Sequence, residues 1–85
     1  MEIVYTEKAI EDIAWFRKSG DKSIQKKIQA IISDMELHPE TGLGKPEKLK
    51  YQYTGYWSRR INSEHRIIYD IKNVITIYSL RGHYD

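Results

Sequence analysis

A carboxylate, a guanidinium and an imidazole that can meet around one phosphate stand in the second half of this 85-residue chain, as Glu47, Arg66 and His83. These are the parts needed to cleave RNA through its own 2′-hydroxyl. A base removes the 2′ proton, cations hold the charge developing on the phosphorus oxygens, and an acid protonates the departing 5′ oxygen. Imidazole suits the last task because its ordinary pKa lies at about 6.5. The scheme needs no metal or cofactor, and no pair of histidines or carboxylates shows convincing metal-ligand spacing.

Each residue taken alone also has a plainer reading. Glu47 lies in Gly44-Lys45-Pro46-Glu47-Lys48-Leu49-Lys50, where three lysines favour its ionised form and suit it to act as a base. An isolated glutamate in a basic loop is, however, ordinarily just solvated. Arg59 and Arg60 must point to opposite faces of one strand. If a hairpin brings that strand beside Arg66, then Arg66 and one of the two form a pair of guanidinium forks matched to a phosphodiester. The alternative is a solvated, salt-bridged sheet face. His83 stands in Arg81-Gly82-His83-Tyr84-Asp85 and is one of three histidines. A terminal histidine is more often part of a frayed tail than a catalyst, yet a strand directly before it would anchor it beside the arginines. His38, before Pro39, and His65, opening a strand, read as structural or surface residues. Tyr51, Tyr53, Tyr56, Trp57 and Tyr84 offer flat faces on which single-stranded RNA can stack. Packing is the better reading for Trp57, and Tyr84 stays open.

Composition sets the frame for these residues. A chain that is 40% hydrophobic and 31% charged, at this length, suits one domain (residues 1–85) burying roughly 60–65% of its unfolded surface. With no cysteine, its stability rests on a core of Ile, Tyr, Trp and Leu. No apolar run approaches the length of a membrane span, and the Met1-Glu2-Ile3-Val4-Tyr5 start lacks the basic flank of a signal peptide, so a cytoplasmic protein is expected. The net charge of +2 hides an asymmetry. Residues 1–43 carry six basic against eight acidic side chains, whereas residues 44–85 carry eight against four. The second half is therefore the candidate for binding a polyanion.

The elements that must position these residues can be read in order. Glu2 to Tyr5 suits a short strand, and Thr6 caps a helix running to about Ser19, with Gly20 ending it. Ala9, Ile10, Ile13 and Phe16 follow helical spacing and are expected to face the core, with Trp15 at the margin. Asp21 caps a second helix whose Ile24, Ile28, Ile31 and Met35 share a face, and His38-Pro39 stops it. Glu40 to Thr54 reads as a long loop with one short helical turn. Tyr56–Ile61, His65–Ile71 and Val74–Leu80 read as three antiparallel strands. On the middle one, alternation places His65, Ile67, Tyr69 and Ile71 on one face and Arg66, Ile68 and Asp70 on the other. The expectation is an α+β domain: two helices packed on one face of a mainly antiparallel four-stranded sheet.

Four separated motifs then fall in order along nearly the whole chain: Gly44-Lys45-Pro46-Glu47, Gly55-Tyr56-Trp57-Ser58-Arg59-Arg60-Ile61, Glu64-His65-Arg66-Ile67-Ile68-Tyr69 and His83-Tyr84. In this the sequence resembles the YoeB/Txe toxins of bacterial type II toxin–antitoxin systems. The resemblance implies a RelE/YoeB-like microbial-ribonuclease fold and an endoribonuclease (mRNA interferase) that cuts messenger RNA, chiefly on the ribosome. It implies Glu47, Arg66, His83 and Tyr84 as catalytic residues, with His83 the general acid assisted by Tyr84. Lys50, Arg59 and Arg60 are the expected RNA or phosphate contacts. It further implies a YefM-like antitoxin as partner, with operator DNA bound only by the toxin–antitoxin complex, and homodimerisation as an option. The chain departs from the family pattern at Lys48, where proline often follows the glutamate, and at Asp85, which extends past the usual terminal tyrosine.

Two other readings compete. A ParE-like toxin on the same scaffold would bind DNA gyrase without cleaving anything, and fold alone does not separate the two. A nucleic-acid-binding module acting as a co-repressor with its partner is the third, and it is compatible with catalysis.

Overall fold

The computed structural model describes residues 1–82; His83, Tyr84 and Asp85 lie outside the described residues. The order is β1 (Ile3–Tyr5), α1 (Glu7–Ser19), α2 (Lys22–Leu37), β2 (Glu47–Lys48), a 3₁₀ turn (Tyr51–Tyr53), β3 (Trp57–Arg60), β4 (Arg66–Ile71) and β5 (Ile75–Ser79). Thr6 caps α1, its Oγ1 accepting from the Ala9 N–H at 3.2 Å, and Asp21 caps α2 by accepting from the Ile24 N–H at 3.1 Å. The second helix ends at Leu37, and the His38 N–H closes back on the Asp34 carbonyl at 2.7 Å.

The sheet has five strands in the order β1-β5-β4-β3-β2, one more than the sequence pattern predicts. The added strand is β2, a two-residue piece within the expected loop, paired antiparallel with β3. β1 joins the other edge in parallel to β5, so the sheet is mixed. The three later strands pair antiparallel as expected, with a register irregularity between Ile68 and Tyr69.

Both helices cover one face of this sheet. Ala9, Phe16, Ile28, Ile31 and Met35 meet Ile61, Ile67, Tyr69, Ile75, Ile77 and Leu80 in one buried cluster. Ile10 departs from expectation: it is 58% exposed, and Asp12, only 2% exposed, takes the inward position between Ala9 and Phe16. Trp15 is largely exposed. No helix among the described residues is long and apolar enough to cross a membrane.

Candidate active site

The opposite sheet face carries no helix, and the register decides which side chains stand on it. Residues paired across a ladder point the same way, and alternate residues of a strand share a face. Glu47 pairs with Ser58, Ser58 with Ile68, and Arg60 with Arg66, so Glu47, Ser58, Arg60, Arg66, Ile68 and Asp70 share the open face. From β2 to β4 is two strand spacings, about 10 Å, which long side chains can bridge. The two-fork arrangement therefore falls to Arg60 and Arg66.

Arg59 goes the other way and is fully buried. Its guanidinium donates to the Asp34 carboxylate at 2.8 Å, to the Leu43 carbonyl at 3.1 Å, to the Thr41 carbonyl at 2.9 Å and to the His38 carbonyl. Its Nε donates to the Tyr69 hydroxyl at 3.2 Å, and that hydroxyl donates to the Pro39 carbonyl at 3.0 Å. All five guanidinium N–H groups are thus committed within the protein. The phosphate contact expected of Arg59 is corrected accordingly: it ties the end of α2 and the 38–43 loop to the underside of β3. The Asp34 carboxyl is held below the usual carboxylate range, first by the Arg59 hydrogen bond and then by the Leu43 N–H. Burial raises the Tyr69 hydroxyl pKa, with Arg59 acting against that rise.

This clasp leads directly to Glu47. Gly42, at φ 106°, lies so close to Asp34 that a Cβ would stand 2.0 Å from Oδ2. Gly44 lets the chain run against β3, where its carbonyl accepts the Arg60 N–H and a Cβ would meet the Arg60 carbonyl at 3.0 Å. On the far side of Glu47, the buried Leu49 donates its N–H to the Tyr56 carbonyl at 2.9 Å. The glutamate thus sits on a rung fixed at both ends, with its side chain exposed. Beyond it, Glu47, Lys50, Tyr51 and Tyr53 line an open groove of ≈ 550 Å³. Tyr51 is 87% exposed beside the exposed Lys50, the geometry of a cationic and aromatic landing surface. Trp57 instead stacks on Tyr69 at 6.3 Å on the helix side, with the Lys48 ammonium over its ring. Tyr56 packs edge-on against Tyr78, which donates to Asp70 at 2.8 Å. That bond to a carboxylate raises the Tyr78 pKa. Among the described residues no three His, Asp or Glu side chains gather as a metal site would require.

Residues 5–84 match the YoeB-like toxin of bacterial type II toxin–antitoxin systems. The chain belongs to this family. It is 46% identical over 85 residues to the toxin YoeB of Synechocystis, covering 99% of this chain and 98% of that one. Among solved structures, a YoeB/ParE toxin from Agrobacterium tumefaciens is 36% identical with a TM-score of 0.92, covering 99% of this chain and all of that one. Staphylococcus aureus YoeB has been solved as a dimer (TM-score 0.86) and in complex with YefM (TM-score 0.84), each 41% identical and covering 99% of this chain and 98% of that one. The RelE/YoeB fold expected from the motifs is therefore the fold of this YoeB-like chain, with one strand added.

Of the family-like positions, Glu47, Arg60 and Arg66 come together on the open face, Lys50 borders it, and Arg59 does not reach it. His83 and Tyr84 lie outside the described residues. Sequence reasoning did not single out Asp12, and it read His65 as a structural or surface residue. Asp12 accepts from the N–H groups of Leu80 and Arg81, and His65 Nδ1 accepts from the Gly82 N–H at 2.8 Å. The clue to Asp12 was available, since it is a carboxylate at helical spacing between two core residues. His65 gave no such clue.

Proposed function

We propose that this YoeB-like toxin is an endoribonuclease that cleaves messenger RNA by general acid–base catalysis. The observation that carries the reading is the register placing Glu47, Arg60 and Arg66 on the sheet face opposite the helices. Glu47 takes the proton of the 2′-hydroxyl, and the 2′ oxygen attacks phosphorus. Arg66 and Arg60 hold the charge that gathers on the phosphoryl oxygens. The bond to the 5′ oxygen breaks as that oxygen receives a proton from His83, with Tyr84 assisting. The products are a 2′,3′-cyclic phosphate and a 5′-hydroxyl, and side chains supply every step without a metal. Lys50 and the exposed Tyr51 hold the neighbouring nucleotides.

The natural substrate in this reading is message on the translating ribosome, in the cytoplasm. A YefM-like antitoxin covers the open face, and operator DNA is bound only by the toxin–antitoxin complex. The complex of Staphylococcus aureus YoeB with YefM supports such a partner, and the dimer of that protein supports self-association.

The test is to incubate the chain with ribosome-bound message and map the ends. The expected result is new 5′-hydroxyl ends, with Glu47→Ala slower by about 10²–10⁴. Equal rates for wild type and Glu47→Ala would remove Glu47 from the mechanism. Chromosomal breaks on induction with message left intact would instead favour gyrase binding, the ParE-like reading.

A further inference from the structure

Beyond Ser79 the last strand leaves its ladder, and the next three residues need new backbone partners. All three find them in side chains or backbone of distant elements. Asp12 Oδ2 on α1 accepts from the Leu80 N–H at 2.8 Å and from the Arg81 N–H at 3.2 Å. His65, just before β4, accepts the Gly82 N–H on Nδ1 at 2.8 Å. The Gly82 carbonyl accepts from the N–H of Arg66 at 3.1 Å, so the segment is bonded to the backbone of the phosphate-binding arginine itself.

These partners are not incidental features of the core. Asp12 occupies a position in the apolar stripe of α1 where an aliphatic side chain would pack without a desolvation cost. Burial raises its pKa, yet the Leu80 N–H, the Lys8 ammonium at 2.6 Å on Oδ1 and the Arg81 N–H outweigh burial and keep the carboxyl below its usual range. The His65 ring is held edge-on by Phe16 at 5.1 Å and Trp15 at 6.0 Å. Because a backbone N–H can only donate, Nδ1 must be unprotonated there and the ring proton lies on Nε2. Arg81 closes the assembly from outside, its guanidinium 3.9 Å above the Trp15 ring.

We infer that Asp12 and His65 are positioning residues that fasten residues 80–82 to the backbone of Arg66, so that Arg66 acts from a fixed point on β4. The catalytic consequence rests on the ribonuclease reading, whereas the fastening itself can be read without RNA. Neither residue touches substrate. Their effect on rate passes through the backbone of Arg66, whose N–H donates to the Gly82 carbonyl.

Two variants separate positioning from packing. His65→Phe keeps a ring between Phe16 and Trp15 but removes the acceptor, and His65→Asn returns an acceptor near the Nδ1 position. Asp12→Leu keeps the stripe apolar and removes the acceptor for Leu80 and Arg81. In the full chain, His65→Phe is expected to accelerate amide exchange at Gly82 by roughly 10-fold, and Asp12→Leu to do so at Leu80 and Arg81. Both are expected to lower kcat for RNA cleavage by roughly 10–100-fold with KM unchanged, and His65→Asn to restore much of the loss. Unchanged exchange in both variants overturns the fastening. Faster exchange with wild-type cleavage per folded molecule overturns the positioning role. If the wild type cleaves no RNA at all, the ribonuclease reading fails while exchange at residues 80–82 still reports on the anchor. Should His65→Phe fail to fold, Asp12→Leu carries both measurements.

Discussion

Arg59 and Arg60 are adjacent and chemically identical, but they live in different molecules, physically speaking. Arg59 lies under the sheet with every donor spent on Asp34, Tyr69 and three loop carbonyls. Arg60 stands exposed on the open face, across from Arg66. The helix-covered face uses charge to fix a loop, where the ion pair is hydrogen-bonded throughout. On the other face Glu47 and Arg60 are exposed, where a phosphate can reach the guanidinium. An arginine on a candidate nucleic-acid-binding surface is thus informative only once its face is known.

The sharpest way to break this contrast is to replace each arginine by methionine. Arg59→Met should lower the urea midpoint markedly, because it removes the partner of Asp34 and of the His38, Thr41 and Leu43 carbonyls. Arg60→Met should stay within about 0.5 kcal/mol. Urea midpoints at constant m check both, and similar midpoints would erase the distinction between the faces. Next in size, Arg66→Lys keeps the charge but loses the planar fork. Cleavage should fall by about 10²–10³ with the melting temperature unchanged, read by single-turnover kinetics on ribosome-bound message. Arg60→Met should slow cleavage by about 10-fold and reduce the slope of log affinity against log salt by about one in RNA titrations. A wild-type slope would place Arg60 outside the RNA contact.

The smallest effect is on pH dependence. Asp12 and Asp34 both have pKa values lowered below 3.8 in the folded chain. Their contribution is therefore complete above the unfolded value and is lost as pH falls through the folded one. Melting temperature is expected to be level from about pH 8 to 5 and to drop below about pH 4. In Arg59→Met the part of that drop due to Asp34 should shrink to what the Leu43 N–H sustains, leaving the Asp12 part. An acid limb identical to wild type would mean that Asp34 is not linked to folding through Arg59.

Much of this molecule was legible in advance because its cues are local. Thr6 and Asp21 announce their helices by hydrogen bonds within one turn, His38-Pro39 stops the second by sterics, and the three later strands announce themselves by β-branched and aromatic content. What was missed depends on distant partners. The β2 rung is two residues long and exists only because β3 lies beside it. The parallel union of Ile3 with Ile75 joins the two ends of the chain. Ile10 is exposed and Asp12 buried, where its carboxylate accepts from the amides of Leu80 and Arg81.

The sequence by itself determined that Arg59 and Arg60 diverge and that Arg66 opposes Ile67 and Tyr69, since alternation is a property of the extended backbone. It also determined, through its ordered motifs, the family and the identity of the candidate catalytic set. Only the tertiary structure decided which arginine joins Arg66 and on which rung Glu47 stands. That choice is made by strand register and by the face the helices bury, and a shift of one residue in pairing would have exchanged the roles of the two arginines.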